Sequence, residues 1–156
     1  MIKYTIPKGS HKSKGCRFLL KRPTKIRFKI DESFINEATN NPKQGWSKLF
    51  GYSDSVIHHH RNSIRIGLIV RDGQIFAGAY YYNNGERGWT TIKKIEPNVE
   101  YEAEISWTKK TYIVAFGESF SIVPRTGKII TYPLFPYFGG VFPAPKDVFI
   151  YIEYLN

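Results

Sequence analysis

A single cysteine, Cys16, occurs in the 156 residues, so no internal disulfide can brace the chain and its fold has to rest on a packed core. That usage fits a reducing compartment. Alanine and leucine, the residues that build helical bundles, are sparse, which argues against a helical architecture. No window approaches the roughly 18 apolar residues of a membrane-spanning helix. The opening Met1-Ile2-Lys3-Tyr4-Thr5-Ile6-Pro7 lacks the charged start, long apolar run and small-residue cleavage site of a secretory signal. The expectation is a soluble protein with no membrane partner, cytoplasmic, or located in a virion if phage-encoded. Acidic residues are missing from the first 30 positions, which carry ten Lys or Arg. The other 13 basic side chains are balanced by the 13 acidic ones, so the formal charge of +10 originates in that opening segment. Such a segment raises a long-range positive potential and suits a polyanionic partner, an acidic protein or a nucleic acid.

Aromatic residues are plentiful, with 11 Tyr, 11 Phe and 3 Trp, and they favour strands. Apolar residues alternate with polar ones in Lys25 to Ile30 and in Ile64, Ile66, Leu68 and Val70. The second of these rows ends at Asp72-Gly73, a hairpin signal, and the following run from Gln74 to Tyr82 ends at Asn83-Asn84-Gly85. Further strands are expected over Trp89–Ile95, Glu100–Thr108, Thr111–Phe116, Ser119–Val123 and Asp147–Tyr154. Strands this closely spaced leave little room for crossover helices and predict an all-β protein, an antiparallel β-sandwich or jelly roll. Only Asp31–Asn41 offers room for a short helix, with Asp31 as its N-cap. The predicted organisation is a basic segment over residues 1–24, mobile around Lys8–Lys14, followed by one sandwich domain over 25–156. Within the basic segment Lys8, Lys12, Lys14, Arg17, Lys21 and Arg22 are the candidate polyanion contacts.

Three constellations could carry chemistry. Glu100, Glu102 and Glu104 alternate along one strand and place their carboxylates on one face, as a pair of catalytic carboxylates would need. The arrangement resembles the acidic strand of laminarinase-type glycoside hydrolases, although a solvated strand face produces the same pattern. His58 and His60 would share a face if extended, but a metal site needs further ligands and no Cys or acidic cluster supplies them, so neither a metal nor another cofactor is expected. Tyr80, Tyr82 and Trp89, with Arg65 and Asn84, combine planar rings and hydrogen-bonding groups suited to a sugar.

Three segments carry a resemblance: Ile6-Pro7-Lys8-Gly9 with His11 and Ser13, then His58 to Arg65 with its Asn62-Ser63-Ile64-Arg65, and finally Tyr137-Phe138-Gly139-Gly140 with Ala144-Pro145 and Asp147. In these the chain resembles a group of small bacterial proteins of unassigned function and departs from their pattern at Lys146, where they carry His. The resemblance implies a jelly roll of the concanavalin A-like, lectin and glucanase type, and it implies no activity. The sequence therefore favours a non-enzymatic, lectin-like glycan-binding protein using Arg65, Tyr80, Tyr82, Asn84 and Trp89. The alternative is a structural component of a larger assembly such as a phage virion, with the basic segment against a neighbour or nucleic acid. A glycoside hydrolase or lyase built on the glutamates ranks last.

Overall fold

The computed structural model describes all 156 residues, and its regular structure is eleven strands and one short 3₁₀ turn. The strands are β1 (Ile2–Ile6), β2 (Lys25–Ile30), β3 (Ser47–Ser53), β4 (Ser63–Arg71), β5 (Gln74–Asn83), β6 (Glu86–Ile95), β7 (Glu100–Trp107), β8 (Thr111–Phe116), β9 (Ser119–Pro124), β10 (Pro133–Leu134) and β11 (Val148–Leu155). A six-stranded sheet has the order β1-β11-β2-β7-β8-β9 and a five-stranded sheet the order β10-β3-β4-β5-β6. Every pairing is antiparallel, and the protein is an all-β sandwich. No helix is long and apolar enough to cross a membrane.

The period-2 patterns explain the layering. In β2, β4 and β11 the residues Ile26, Phe28, Ile30, Ile64, Ile66, Leu68, Val148, Ile150 and Ile152 turn inward and are buried in one continuous core. Because successive side chains of a strand point to opposite faces, the alternating charged residues are turned outward. The two short hairpins follow from their turn residues. Asp72 and Gly73 have φ of 51° and 72°, and Asn84 and Gly85 have 49° and 84°, the left-handed pair that a two-residue turn between twisted strands requires.

Three expectations are corrected. The basic opening is not separate from the sandwich: β1 pairs with β11 from Ile2↔Ile152 to Ile6↔Val148, with Tyr4 and Ile6 in the core. The alternation of Ile2, Tyr4 and Ile6 is a strand signal in its own right, one that the surrounding charge obscures. Lys8–Lys14 is not a free stretch either. Gly9 N–H donates to the Ala144 carbonyl (2.7 Å), Lys14 N–H to Thr5 O (2.7 Å), and the buried Ser13 hydroxyl to Pro136 O (2.7 Å). Finally, Asp31–Asn41 holds only one 3₁₀ turn, Glu32–Phe34, capped by Asp31. Side chains compete with the helix there: Asn36 Oδ1 accepts from the Ala38 and Thr39 N–H groups, and the Thr39 hydroxyl donates to Phe34 O at 2.7 Å.

One polar contact ties the layers together. Asp54, just after β3, accepts from Arg125 Nε (2.7 Å) and Nη2 (3.0 Å) and from the Tyr112 hydroxyl of β8. The Asp54 side chain is fully buried and that of Arg125 is 8% exposed. The carboxylate raises the Arg125 pKa further, and burial together with Asp54 keeps the Tyr112 phenol protonated.

Candidate functional site

The outer face of the five-stranded sheet gathers basic and aromatic side chains. Strand alternation places Lys48 of β3, Arg65 of β4, Tyr80 and Tyr82 of β5, and Arg87 and Trp89 of β6 on the same side, away from the core. A bulge between Lys48 and Phe50 lets β3 keep Leu49 and Phe50 in the core while Lys48 faces outward opposite Gly67. Trp46 fills the space above Gly67, where a Cβ would lie 2.8 Å from the indole, and packs with Ile69 and Tyr80.

Two further segments close around this face. Tyr137 exchanges hydrogen bonds with Lys48, with N–H to carbonyl distances of 2.8 and 2.9 Å, and its ring stacks on His11 (5.5 Å, 12°). Gly139 passes so close to β3 that a Cβ would meet the Trp46 carbonyl oxygen at 1.6 Å, so only glycine fits there. On the opposite side His58, His59 and His60 form a turn, closed by Arg61 N–H to the His58 carbonyl (3.0 Å), with His60 tilted over Tyr82 at 5.0 Å. Between these walls lies an open cleft of about 570 Å³.

Its electrostatics are one-sided. Lys43, Lys48, Arg65 and Arg87 line it beside the three histidines, with no Asp or Glu among the lining residues. Burial, then the neighbouring Arg65 and Arg87, brings Lys48 down to about 7, while its ammonium lies 4.5 Å from the Tyr80 ring centroid. Burial and the surrounding cations bring His59 down to about 4 and lower His60 as well, so both are neutral imidazoles near pH 7. Arg65 is 7% exposed and burial lowers it to about 9, which leaves it charged at neutral pH. Its guanidinium makes one hydrogen bond, from Nη2 to the Phe135 carbonyl at 2.6 Å, and Nε has no partner. Tyr80, pushed up to about 12 by burial, stays protonated.

Of the residues singled out from the sequence, Arg65, Tyr80 and Tyr82 converge in this cleft. Trp89 stands beside it, half exposed, with its ring parallel to that of Tyr80 (6.5 Å, 10°). Asn84 does not join them: it occupies the β5–β6 turn, its N–H bonded to Asn62 Oδ1. His58 and His60 line the cleft, although on a turn rather than a strand. The ring nitrogens of His58, His59 and His60 come within 4.8 Å of one another, but Lys48 and Arg65 beside them would repel a metal cation.

The three glutamates lie on the other sheet, on the outer side of β7, opposite Lys29, Arg27 and Lys25 of β2. Glu102 pairs with Lys25 (2.5 Å) and Arg27 (2.8 Å), and these bonds lower its pKa, which suits a cross-strand charge ladder rather than a proton donor. Lys8, Lys12, Lys14, Arg17, Lys21 and Arg22 are all exposed, with Arg17 bonded to Ser13 O and Arg22 to Thr131 O.

Lys48, Arg87, His59 and Tyr137 complete the cleft without having been singled out as ligand contacts. Arg87 had a visible signal, since it precedes Trp89 by two positions and shares its face. No protein-family model matches the chain, and no curated protein is recognisably similar to it in sequence. The fold and the site together define the class: an antiparallel β-sandwich bearing a cationic, aromatic cleft on one outer face.

Proposed function

We propose that the protein is a non-enzymatic, lectin-like binding protein that holds a glycan in the cleft on the five-stranded sheet, on a jelly roll of the concanavalin A-like type. The supporting observation is the convergence of Tyr80, Tyr82, Tyr137 and the adjacent Trp89 with the N–H donors of Arg65 and Arg87 around one open 570 Å³ cleft. Tyrosine and tryptophan faces stack on the apolar faces of pyranose rings, and fixed donors select the hydroxyl pattern. An open, shallow-walled site suits an extended chain. On a glycan array the intact protein should retain saccharides, and Trp89→Ala or Tyr82→Ala should weaken the retained ones by roughly 2- to 13-fold, the value of one aromatic contact. Unchanged binding in both variants would remove the cleft from the recognition of sugar.

A second reading, a component of a larger assembly, is favoured by a different surface. Phe18 and Leu20 are 73% and 90% exposed beside Arg17, Lys21 and Arg22. Apolar side chains ringed by cations suit an acidic protein neighbour. Association through that surface should weaken as salt screens it, and Phe18→Ser with Leu20→Ser should abolish it while leaving saccharide binding unchanged.

A further inference from the structure

The cleft buries a cation that nothing in the chain neutralises. Arginine stays protonated throughout the neutral range and offers five N–H donors, of which the Arg65 guanidinium uses one. A desolvated charge is costly unless a counter-ion and hydrogen bonds compensate it. Arg125, whose side chain is also largely withdrawn from water, has Asp54 for that purpose. Arg65 has no carboxylate: its partner is a neutral carbonyl, and the charged groups facing it are Lys48 and Arg17, whose repulsion adds to the cost. A guanidinium can only donate, and Nε has no partner, so what is missing is an acceptor. Charged acceptors bind such donors about twice as strongly as neutral ones and also cancel the buried charge.

We infer that the ligand of this cleft carries an anionic substituent, a carboxylate or a sulfate ester on a sugar ring, seated on the Arg65 guanidinium and flanked by Lys48 and Arg87. The sugar in that statement rests on the glycan reading; the anion does not. The aromatic rings hold the ring face and the cations hold the charge, so the substrate class is an acidic glycan rather than a neutral one.

The experiment is calorimetric titration of the intact protein at pH 6.5 with four probes: a galacturonic acid tetrasaccharide, a sulfated chondroitin tetrasaccharide, neutral cellotetraose, and sodium sulfate. At least one acidic tetrasaccharide should bind roughly 10- to 100-fold more tightly than cellotetraose, as one charge-assisted contact allows. Arg65→Met should abolish that advantage and Arg87→Ala should reduce it. If Arg65→Met does not fold, the exposed Arg87→Ala decides, and unchanged affinity for the acidic probes overturns the inference. Cellotetraose bound as well as the acidic probes, with Arg65→Met without effect, overturns the anionic ligand and leaves a neutral glycan site. Sulfate bound through Arg65 while no saccharide binds supports the anion and removes the glycan reading. No binding of any probe overturns both.

Discussion

Arg125, whose side chain is 8% exposed, and Arg65, buried as a whole residue, have surroundings of opposite sign. Arg125 sits between the two layers, forked onto Asp54, with a third bond from Nη1 to the Thr108 carbonyl at 2.7 Å. Every group around it satisfies another, as a structural charge requires. Arg65 sits on the outer face of one sheet with a single carbonyl partner, other cations nearby and an open cleft in front. The same fold supplies Arg125 with a carboxylate and leaves Arg65 without one. The contrast separates a charge satisfied within the sandwich from one that faces an open cleft.

The largest way to break the comparison is at Asp54. Asp54→Ala would strand the buried Arg125 charge and the Tyr112 hydroxyl together, and should cost about 3 to 5 kcal/mol in urea unfolding. A loss near zero would show that the contact does not tie the sheets. A smaller effect sharpens the other side. Lys48 faces Arg65 from β4, Arg87 from β6, Tyr80 from β5, Tyr137 from the closing segment, and His59 and His60 from the turn. In the free protein it loses its proton near pH 7, below the ordinary lysine range. An anion favours the protonated form, so affinity for an acidic ligand is greatest below about pH 7 and falls as pH rises through it. His59, already neutral above about pH 4, does not offset that change. A decline of roughly three- to tenfold between pH 6 and 8.5 is expected from losing one nearby charge, and a flat profile would remove Lys48 from the site. The smallest effect belongs to the Glu100–Glu104 ladder. Glu102→Gln breaks exposed ion pairs that salt already screens, so ligand affinity should not change and any shift in the unfolding midpoint should vanish at high salt.

The sandwich was legible where alternation and turn chemistry agree. In β4 and β5 the apolar row, Asp72-Gly73 and Asn84-Gly85 each point to the same hairpins, and those strands form as expected. The strand β1 was hidden because charge dominates its neighbourhood, although Ile2, Tyr4 and Ile6 alternate cleanly. The strand β3 was hidden for a physical reason: its bulge breaks the period between Lys48 and Phe50, so Ser47–Ser53 shows no simple alternation. That one omission also concealed Lys48 as a cleft residue. Arg65, Tyr80 and Tyr82 were accessible because a strand fixes which residues share a face. Tyr137 and the His58–His60 turn depend on how distant segments meet, across β3 in one case and over Tyr82 in the other, and no local pattern encodes such meetings. The absence of a counter-ion at Arg65 belongs to the same class, since it is visible only when every element around the guanidinium is in place.

The most direct measurement compares Arg65→Met with the intact protein twice, by urea unfolding without ligand and by titration with the acidic tetrasaccharides. Removing an uncompensated buried charge while keeping an apolar stem should leave stability within about 1 kcal/mol of the original, or raise it, and should eliminate the preference for acidic over neutral saccharide. A loss of about 3 kcal/mol or more, matching that expected of Asp54→Ala, with the preference for acidic saccharide retained, would make Arg65 a structural residue and contradict the account.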